Sequence, residues 1–271
     1  GIDAQNWLFN TVDALIGTEI AGVNPTGAEV TVTDSILIAG AGDVNVLATS
    51  DMSIDADILN AALATSVTAG KSNSVSVAPI IALNRGNSVA NAIVSGSTLR
   101  SVADNIDVSA KDISSIEADV LAASAALSVS GSGASLAVSV AISFARNNLT
   151  SNVKAQVLSS QVNAEDPLSP VADKGKLTVS ALRDASISAS SIAAAAAVAV
   201  SGGGSAPAVA GGGAVAVNKV LGGTVADVTG SVLSADHIVI DADTTGEIDA
   251  EVIAAAVAIA LSGSTSVGVA L

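Results

Sequence analysis

Apolar and polar residues alternate along short stretches of this chain. Ile54, Ala56 and Ile58 alternate with Asp55 and Asp57, and the same two-residue period recurs further along the sequence. Because successive side chains of a β-strand point to opposite faces of a sheet, this period predicts strands with one covered face. Helix is the alternative for the alanine-rich runs, since alanine is the best helix former. Val, Ile, Ser and Thr accompany the alanines, however, and this composition favours strands.

An internal repeat organises the chain. Four segments align without gaps and start 62, 71 and 61 residues apart: 54–67, 116–129, 187–200 and 248–261. Two shorter blocks lie upstream of each, one of them at 32–37, 94–99, 157–162 and 228–233. A fixed repeat of short apolar stretches separated by Gly and Ser predicts a β-solenoid. We therefore predict an all-β, parallel β-helix-like fold of about four repeats of about 61 residues, with stacked antiparallel hairpins as the alternative.

The repeat also sets the predicted boundaries. The array covers residues 28–271, with units starting near residues 54, 116, 187 and 248, and residues 1–27 are predicted to form an N-terminal cap or helix. A unit of about 61 residues corresponds to about three solenoid coils of about 20 residues. The parity of the apolar positions changes within each long segment, which predicts a bulge or corner there. The spacing of 71 residues comes from a polar insertion at 164–173, which predicts a loop.

Glycine and asparagine mark further features. Two glycine triplets, Gly202–Gly204 and Gly211–Gly213, predict turns. The first interrupts the most apolar stretch, Ile192–Val217, after nine residues, which is too few for a spanning helix, so no transmembrane segment is predicted. An asparagine follows the second apolar run of three units, and these residues predict an internal ladder or turns with positive φ: Asn84, Asn147 and Asn218.

The composition excludes several classes of chemistry. The chain has no cysteine and a single histidine, His237, which excludes disulfide frameworks, cysteine zinc sites and sites built from several histidines. We expect His237 to be exposed beside the start of a strand. The net charge of −15 argues against nucleic acid as a partner. Aromatic residues make up 1% of the chain, which leaves few platforms for glycan binding. No group of residues suggests catalysis, and we predict that the chain is not an enzyme.

Pairs of acidic residues begin three of the four long segments. Their i, i+2 spacing places both carboxylates of a pair on one face of a strand. The residues are Asp55, Asp57, Glu117, Asp119, Asp249 and Glu251. Stacked carboxylates offer the oxygen ligands that Ca²⁺ prefers, so these six residues are calcium candidates, and calcium is the one cofactor that the sequence suggests. The third segment has Ser188 and Ser190 at these positions, which favours a solvated acidic face instead.

Three segments carry a resemblance to a known family. Gly42–Ala48, Asn105–Ala110 and Asp236–Ala242 share a rhythm of Gly, Asp or Asn followed by alternating apolar residues. This rhythm resembles that of filamentous-haemagglutinin-like exoproteins and other giant bacterial surface adhesins. The resemblance implies a right-handed parallel β-helix, secretion, and a role as a shaft or an adhesive element. It implies no catalytic residue, because the motif defines none.

These observations together predict a structural function. We expect a shaft or self-assembling filament segment of a secreted bacterial protein, located outside the cell or at its surface. The expected partners are copies of the chain itself or flanking repeats of a longer chain, and the surface of a host or neighbouring cell. A calcium- or glycan-binding extracellular module is the alternative. A β-helical polysaccharide-degrading enzyme is the least favoured of the three.

Overall fold

The computed structural model of the protein describes residues 26–102, 104–165 and 175–271, and the predicted N-terminal cap lies outside these ranges except for its last two residues. Every regular element in the described ranges is a strand, so the alanine-rich runs are extended and the helical alternative for them is wrong. The strands are β1 (Thr26–Thr33), β2 (Ile36–Ala39), β3 (Val44–Thr68), β4 (Ser72–Ser95), β5 (Thr98–Ser101), β6 (Ile106–Ser130), β7 (Ser135–Leu158), β8 (Gln161–Asn163), β9 (Lys176–Ser201), β10 (Ala206–Thr229), β11 (Val232–Ser234), β12 (His237–Thr245), β13 (Ile248–Ser262) and β14 (Ser266–Ala270).

The strands form three parallel sheets that the chain visits in turn. Sheet I contains β3, β6 and β9, with β12 and β13 both paired to β9. Sheet II has the order β1-β4-β7-β10-β14, and the short sheet III has the order β11-β8-β5-β2. The chain runs along sheet I, turns back along sheet II, and crosses sheet III to the next coil. All pairings among the described strands are parallel, which confirms the predicted β-solenoid and shows that the antiparallel alternative is wrong.

Each repeat makes one coil rather than three. Ile54 pairs with Ile116, Ile116 with Ile187, and Ile187 with Ile248, so the aligned residues of successive repeats stack directly on one another. The prediction of three coils of about 20 residues is therefore wrong. The repeat length was predicted correctly, but the strands extend without a corner for 24 to 26 residues in the complete coils.

The predicted parity change within the long segments does not mark a bulge. In β6 the even-numbered residues from Ile106 to Ser130 are buried throughout, and the odd-numbered residues face outward. Leu127 and Val129 therefore lie on the outer face, opposite the inward-facing Ser128. What changes along the strand is the chemistry of the two faces. The first half has large apolar residues inside, and the second half has them outside.

The interior is divided accordingly. Near sheet III the core contains large apolar side chains such as Leu99, Ile106 and Leu177. Towards the connection between sheets I and II the core is formed almost entirely by alanines, with Ile58, Ile80 and Val120 at its border. We call the part of each coil around this connection the turn half, residues 59–82, 121–145, 192–216 and 253–271, and the remainder the corner half.

Sheets I and II lie very close together in the turn half. The hydroxyls of Ser74 and Ser76 in sheet II donate hydrogen bonds to the carbonyls of Ala64 and Ala62 in sheet I, at 2.6 and 2.9 Å. A side chain reaches the backbone of the facing sheet only when little space separates the two. At Gly212, a Cβ atom would lie 2.7 Å from the carbonyl oxygen of Ala255. Gly211–Gly213 therefore lies within β10 and is not the predicted turn, whereas Gly202–Gly204 does connect β9 to β10.

One corner has the same conformation in all four coils. The chain leaves sheet II for sheet III at a residue with positive φ, which is Asp34, Gly96, Ser159 or Gly230. The serine that follows each of them joins a ladder between coils, in which the amides of Ser35, Ser97 and Ser160 donate to the next coil's serine hydroxyl at 3.0 to 3.1 Å. The left-handed residue turns the chain, and the serines hold the coils in register.

The insertion enters at the opposite end of sheet III. The pairing offset is 63 residues between β5 and β8 but 71 between β6 and β9, so eight residues are added between β8 and β9. Most of the predicted loop lies outside the described residues. On either side of it, the Gly175 amide donates a hydrogen bond to the Ala164 carbonyl at 2.8 Å. The coil therefore closes at the base of the insertion.

A pair of alanine substitutions in β9 tests the close approach of the sheets. Ala197 is fully buried between them, while Ala196 faces outward. We expect Ala197→Leu to lower the free energy of unfolding by about 1–3 kcal/mol or more, because three extra heavy atoms do not fit. The control Ala196→Leu should change it by less than about 0.5 kcal/mol. Urea denaturation of both variants checks this, and equal effects would contradict the narrow interior.

Candidate functional site

The predicted acidic residues lie on the outer face of sheet I in the corner half. Asp55 stacks beside Glu117, and Asp57 beside Asp119. These four carboxylates therefore occupy adjacent strands. Asp249 and Glu251 lie on the same face, but β9 separates them from the other four, because Ser188 and Ser190 occupy the intervening positions. The six residues that the sequence alignment grouped therefore form two columns. The serines of the third coil interrupt both columns.

A shallow, partly open cavity of about 300 Å³ follows one of these columns. Its polar lining comes from the Asp55 column and the serine column next to it: Ser53, Asp55, Ser115, Glu117, Ser186, Ser188, Glu247 and Asp249. Hydroxyl and carboxylate oxygens are ligands that suit a hard cation. Among the described residues, however, no three His, Cys, Asp or Glu side chains come close enough to form a metal-binding group. Calcium binding at this face therefore stays a prediction, which titration with CaCl₂ can test.

The single histidine is at the surface. The His237 ring is 78% exposed, and its Nε2 lies 3.2 Å from a carboxylate oxygen of Asp236. This position at the first residue of β12 confirms the expected exposed location beside a strand start. A side-chain contact this exposed contributes little to stability.

A fully buried carboxylate lies inside the corner half. Asp112 of β6 points into the solenoid, and its Oδ2 accepts hydrogen bonds from the hydroxyls of Ser88, Ser114 and Ser151 at 2.8, 2.8 and 2.5 Å. Three hydroxyl donors converge on this one oxygen and form a polar cluster inside the corner half. The other oxygen, Oδ1, has no hydrogen-bond partner among the described residues.

The polar cluster continues along the solenoid axis. Ser50 and Arg183 are the in-register neighbours of Asp112 on either side. The Arg183 Nη1 donates to the carbonyls of Ser151 and Leu221 at 3.4 and 3.5 Å, which links sheet I to sheet II. The sequence reasoning missed this cluster. Its signal was available, because Asp112 shares the even parity of the inward residues Ile106 and Ala118.

An asparagine ladder forms a second polar layer. Asn84 donates from Nδ2 to the Oδ1 of Asn147 at 2.9 Å, and Asn147 donates to the Oδ1 of Asn218 at 3.1 Å. Asn147 also donates to the Ser188 carbonyl at 2.9 Å, and Asn218 to the Asp249 carbonyl. These contacts confirm the internal ladder. The ladder lies at the boundary between the core of large apolar side chains and the core of alanines.

Partial burial perturbs the pKa of a different carboxyl group. Asp107 lies in β6 on the outer face, and one of its oxygens is buried with no hydrogen-bond partner in the described part of the chain. Burial raises the pKa of Asp107, the positive charge of Lys176 lowers it, and the negative charge of Asp43 raises it further. Burial is the largest of these effects, so the pKa lies above the usual value of 3.8.

The described ranges contain no helix long and apolar enough to cross a membrane. The stretch Ile192–Val217 instead forms the end of β9, a turn and the start of β10, as predicted. Comparison of the chain with protein-family models, with curated proteins and with solved structures gives no significant match.

The raised pKa of Asp107 predicts a pH-dependent stability. Because the folded protein holds this proton more tightly than the unfolded chain, the contribution of Asp107 to stability is greatest below pH 3.8 and decreases as the pH rises through the raised pKa. We expect Asp107→Asn to raise the urea midpoint at neutral pH and to have little effect below pH 3.8. Asp51→Asn, an exposed residue of β3, is the control. A variant that is destabilised at neutral pH would contradict the burial argument.

The stacked acids predict a salt-dependent stability. We expect Asp119→Ser, which introduces the residue type found at Ser190 in the next coil, to raise the melting temperature at low ionic strength, because like charges on adjacent strands repel. The gain should vanish in concentrated sodium chloride, which screens exposed charges. Calorimetry with CaCl₂ tests the calcium alternative on the same pair of proteins. Heat of binding that Asp119→Ser abolishes would support a calcium site, and no heat with either protein would exclude one.

Proposed function

We propose that this chain is a non-enzymatic structural segment of a secreted bacterial surface protein, in which coils stack along one axis as a shaft or a self-assembling filament. The observation that carries the proposal is the uninterrupted ladder of parallel strands. Like residues stack in it from coil to coil, such as Ala56, Ala118, Ala189 and Ala250. Such an array gains stability mainly from contacts between neighbouring coils.

The outermost strands support axial assembly. In the described part of the chain, β3 is paired along one edge, by β6, and β13 is paired along one edge, by β9. Unpaired edges are templates for further strands. The inward side chains of the last coil are also uncovered, since Ile248 and Val252 are 61% and 48% exposed. A coil stacked on this end would cover them.

The dimensions define the kind of filament proposed. Strands of 24 to 26 residues extend for about 80 Å, while each coil adds only about 4.8 Å along the axis. The assembly is therefore a flat ribbon, and its acidic corner half, with a chain net charge of −15, keeps it in solution. Location outside the cell belongs to the same proposal, supported by the absence of cysteine and the adhesin-like rhythm of the repeats.

Electron microscopy of the purified chain tests the proposal. We expect ribbons about 80 Å wide that lengthen with protein concentration, and axial X-ray diffraction near 4.8 Å from aligned ribbons. The control is the same preparation with Ile248→Lys and Val252→Lys, which places charge on the uncovered end and should shorten the ribbons. Compact globular particles at all concentrations would contradict a shaft or filament.

A further inference from the structure

The turn half has its large apolar side chains on the outside. Its interior contains alanine and serine, with hydroxyl pairs such as Ser124–Ser139 and Ser128–Ser135, both at 2.9 Å. Its outer faces carry Leu, Ile and Val. Leu63 and Val67 are 74% and 71% exposed. In a globular domain the larger apolar residues are the ones covered, so this inverted pattern indicates a surface that another molecule covers.

The outer face of sheet I shows the pattern most completely. Five outward columns of four residues each cross the turn half, and every residue in them except Thr65 is apolar. The columns are Leu59, Leu121, Ile192 and Ile253; Ala61, Ala123, Ala194 and Ala255; Leu63, Ala125, Ala196 and Val257; Thr65, Leu127, Val198 and Ile259; and Val67, Val129, Val200 and Leu261. We call these twenty residues the apolar face.

The apolar face has a groove along the solenoid axis. The two alanine-containing columns form the floor of a groove of about 500 Å³. The Leu121 column borders it on one side and the Leu127 column on the other, and both have side chains larger than alanine in all four coils. Each of these two columns forms a ridge, so the apolar face has a ridge directly beside a groove. A two-fold rotation therefore brings the ridge of one copy into the groove of another.

Charge is segregated between the two halves of the coil. The turn half contains a single charged residue, Lys71, at the connection between β3 and β4. On the same outer face, the corner half carries the six acidic residues of the stacked pairs. Two copies that overlap only by their turn halves, with their corner halves pointing in opposite directions, cover the apolar faces and keep the acidic faces apart.

The area is sufficient for a specific contact. Four coils span about 19 Å along the axis, and the outward positions of the turn half extend for about 30 Å along the strands. The face is therefore about 600 Å² per copy, and pairing two of them buries about 1,200 Å², the lower bound of stable protein interfaces.

We propose that the apolar face is a pairing surface for a second copy of this chain, with the two solenoids packed face to face through their turn halves. A lipid surface fits less well. The six acidic residues of the corner half lie on the same outer face of sheet I, so a bilayer that covers the apolar face would also bring these carboxylates towards its hydrocarbon, whereas a dimer that overlaps only by its turn halves leaves them in water. This lateral pairing is independent of the axial stacking proposed above.

Sedimentation velocity over a range of concentrations tests the pairing, with the protein carrying Ile248→Lys and Val252→Lys so that axial stacking at the uncovered end is blocked. We expect a monomer–dimer equilibrium that Ala196→Asp weakens at least about tenfold, because the carboxylate would be desolvated in the groove. The control is Val209→Asp, which places a carboxylate on the outer face of sheet II and should leave the equilibrium unchanged. Circular dichroism spectra of both variants establish that they fold. A protein that stays monomeric, or equal weakening by both variants, would overturn the proposal.

Cross-linking provides an independent readout, because the chain has no cysteine of its own. We expect Ala196→Cys to give covalent dimers with a short bis-maleimide, and Val209→Cys to give none. Flotation with phosphatidylcholine vesicles tests the lipid alternative. Vesicle binding by a monomeric protein, lost in Ala196→Asp, would overturn the proposal in favour of a membrane surface.

Discussion

The close approach of two long parallel sheets is the constraint on which this structure depends. Apart from Asn60 and Ile80, the buried residues between sheets I and II in the turn half are Ala, Ser and Gly, and serine hydroxyls of one sheet reach the carbonyls of the other. Because small side chains remove little apolar surface from water, these coils gain little stability individually. The ladder of hydrogen bonds between coils and the stacking of like residues therefore provide most of what keeps the array in one register.

Two polar layers specify the register within this uniform array. The Asp112 cluster and the asparagine ladder cross the interior at different depths of the coil, and both require a particular side chain in the neighbouring coil or the facing sheet. Alanine columns alone would tolerate a slip of two residues, since one alanine replaces another. A slip would separate the buried carboxyl group of Asp112 from Ser88 and Ser151 of sheet II, and an unpaired polar group is costly in a low-dielectric interior. The polar layers thus select one alignment among many of similar packing.

The sequence allowed the register to be predicted but not the shape of the coil. Aligning Ile54 with Ile116, Ile187 and Ile248 gave the stacking of strands, the two acidic columns and the asparagine ladder. The number of coils per repeat depends on where the chain turns. Two of the four left-handed corner residues, Asp34 and Ser159, are not glycine and give no clear signal. Along each long strand the large apolar residues move from the inner face to the outer face. In the sequence this looks like a change of parity, because an alternation pattern does not reveal which face is inside.

The closed corner beside the insertion has a consequence for how this scaffold can vary. Eight residues are added between β8 and β9, yet β6 and β9 remain paired from end to end. Insertions of other lengths at the equivalent point of other coils would all leave the solenoid along one edge, with neighbouring insertions about 4.8 Å apart. A receptor that engages several neighbouring segments at once would gain from their high effective concentration. The fold thus offers one edge at which inserted segments can change in length and sequence while the stacked strands stay the same.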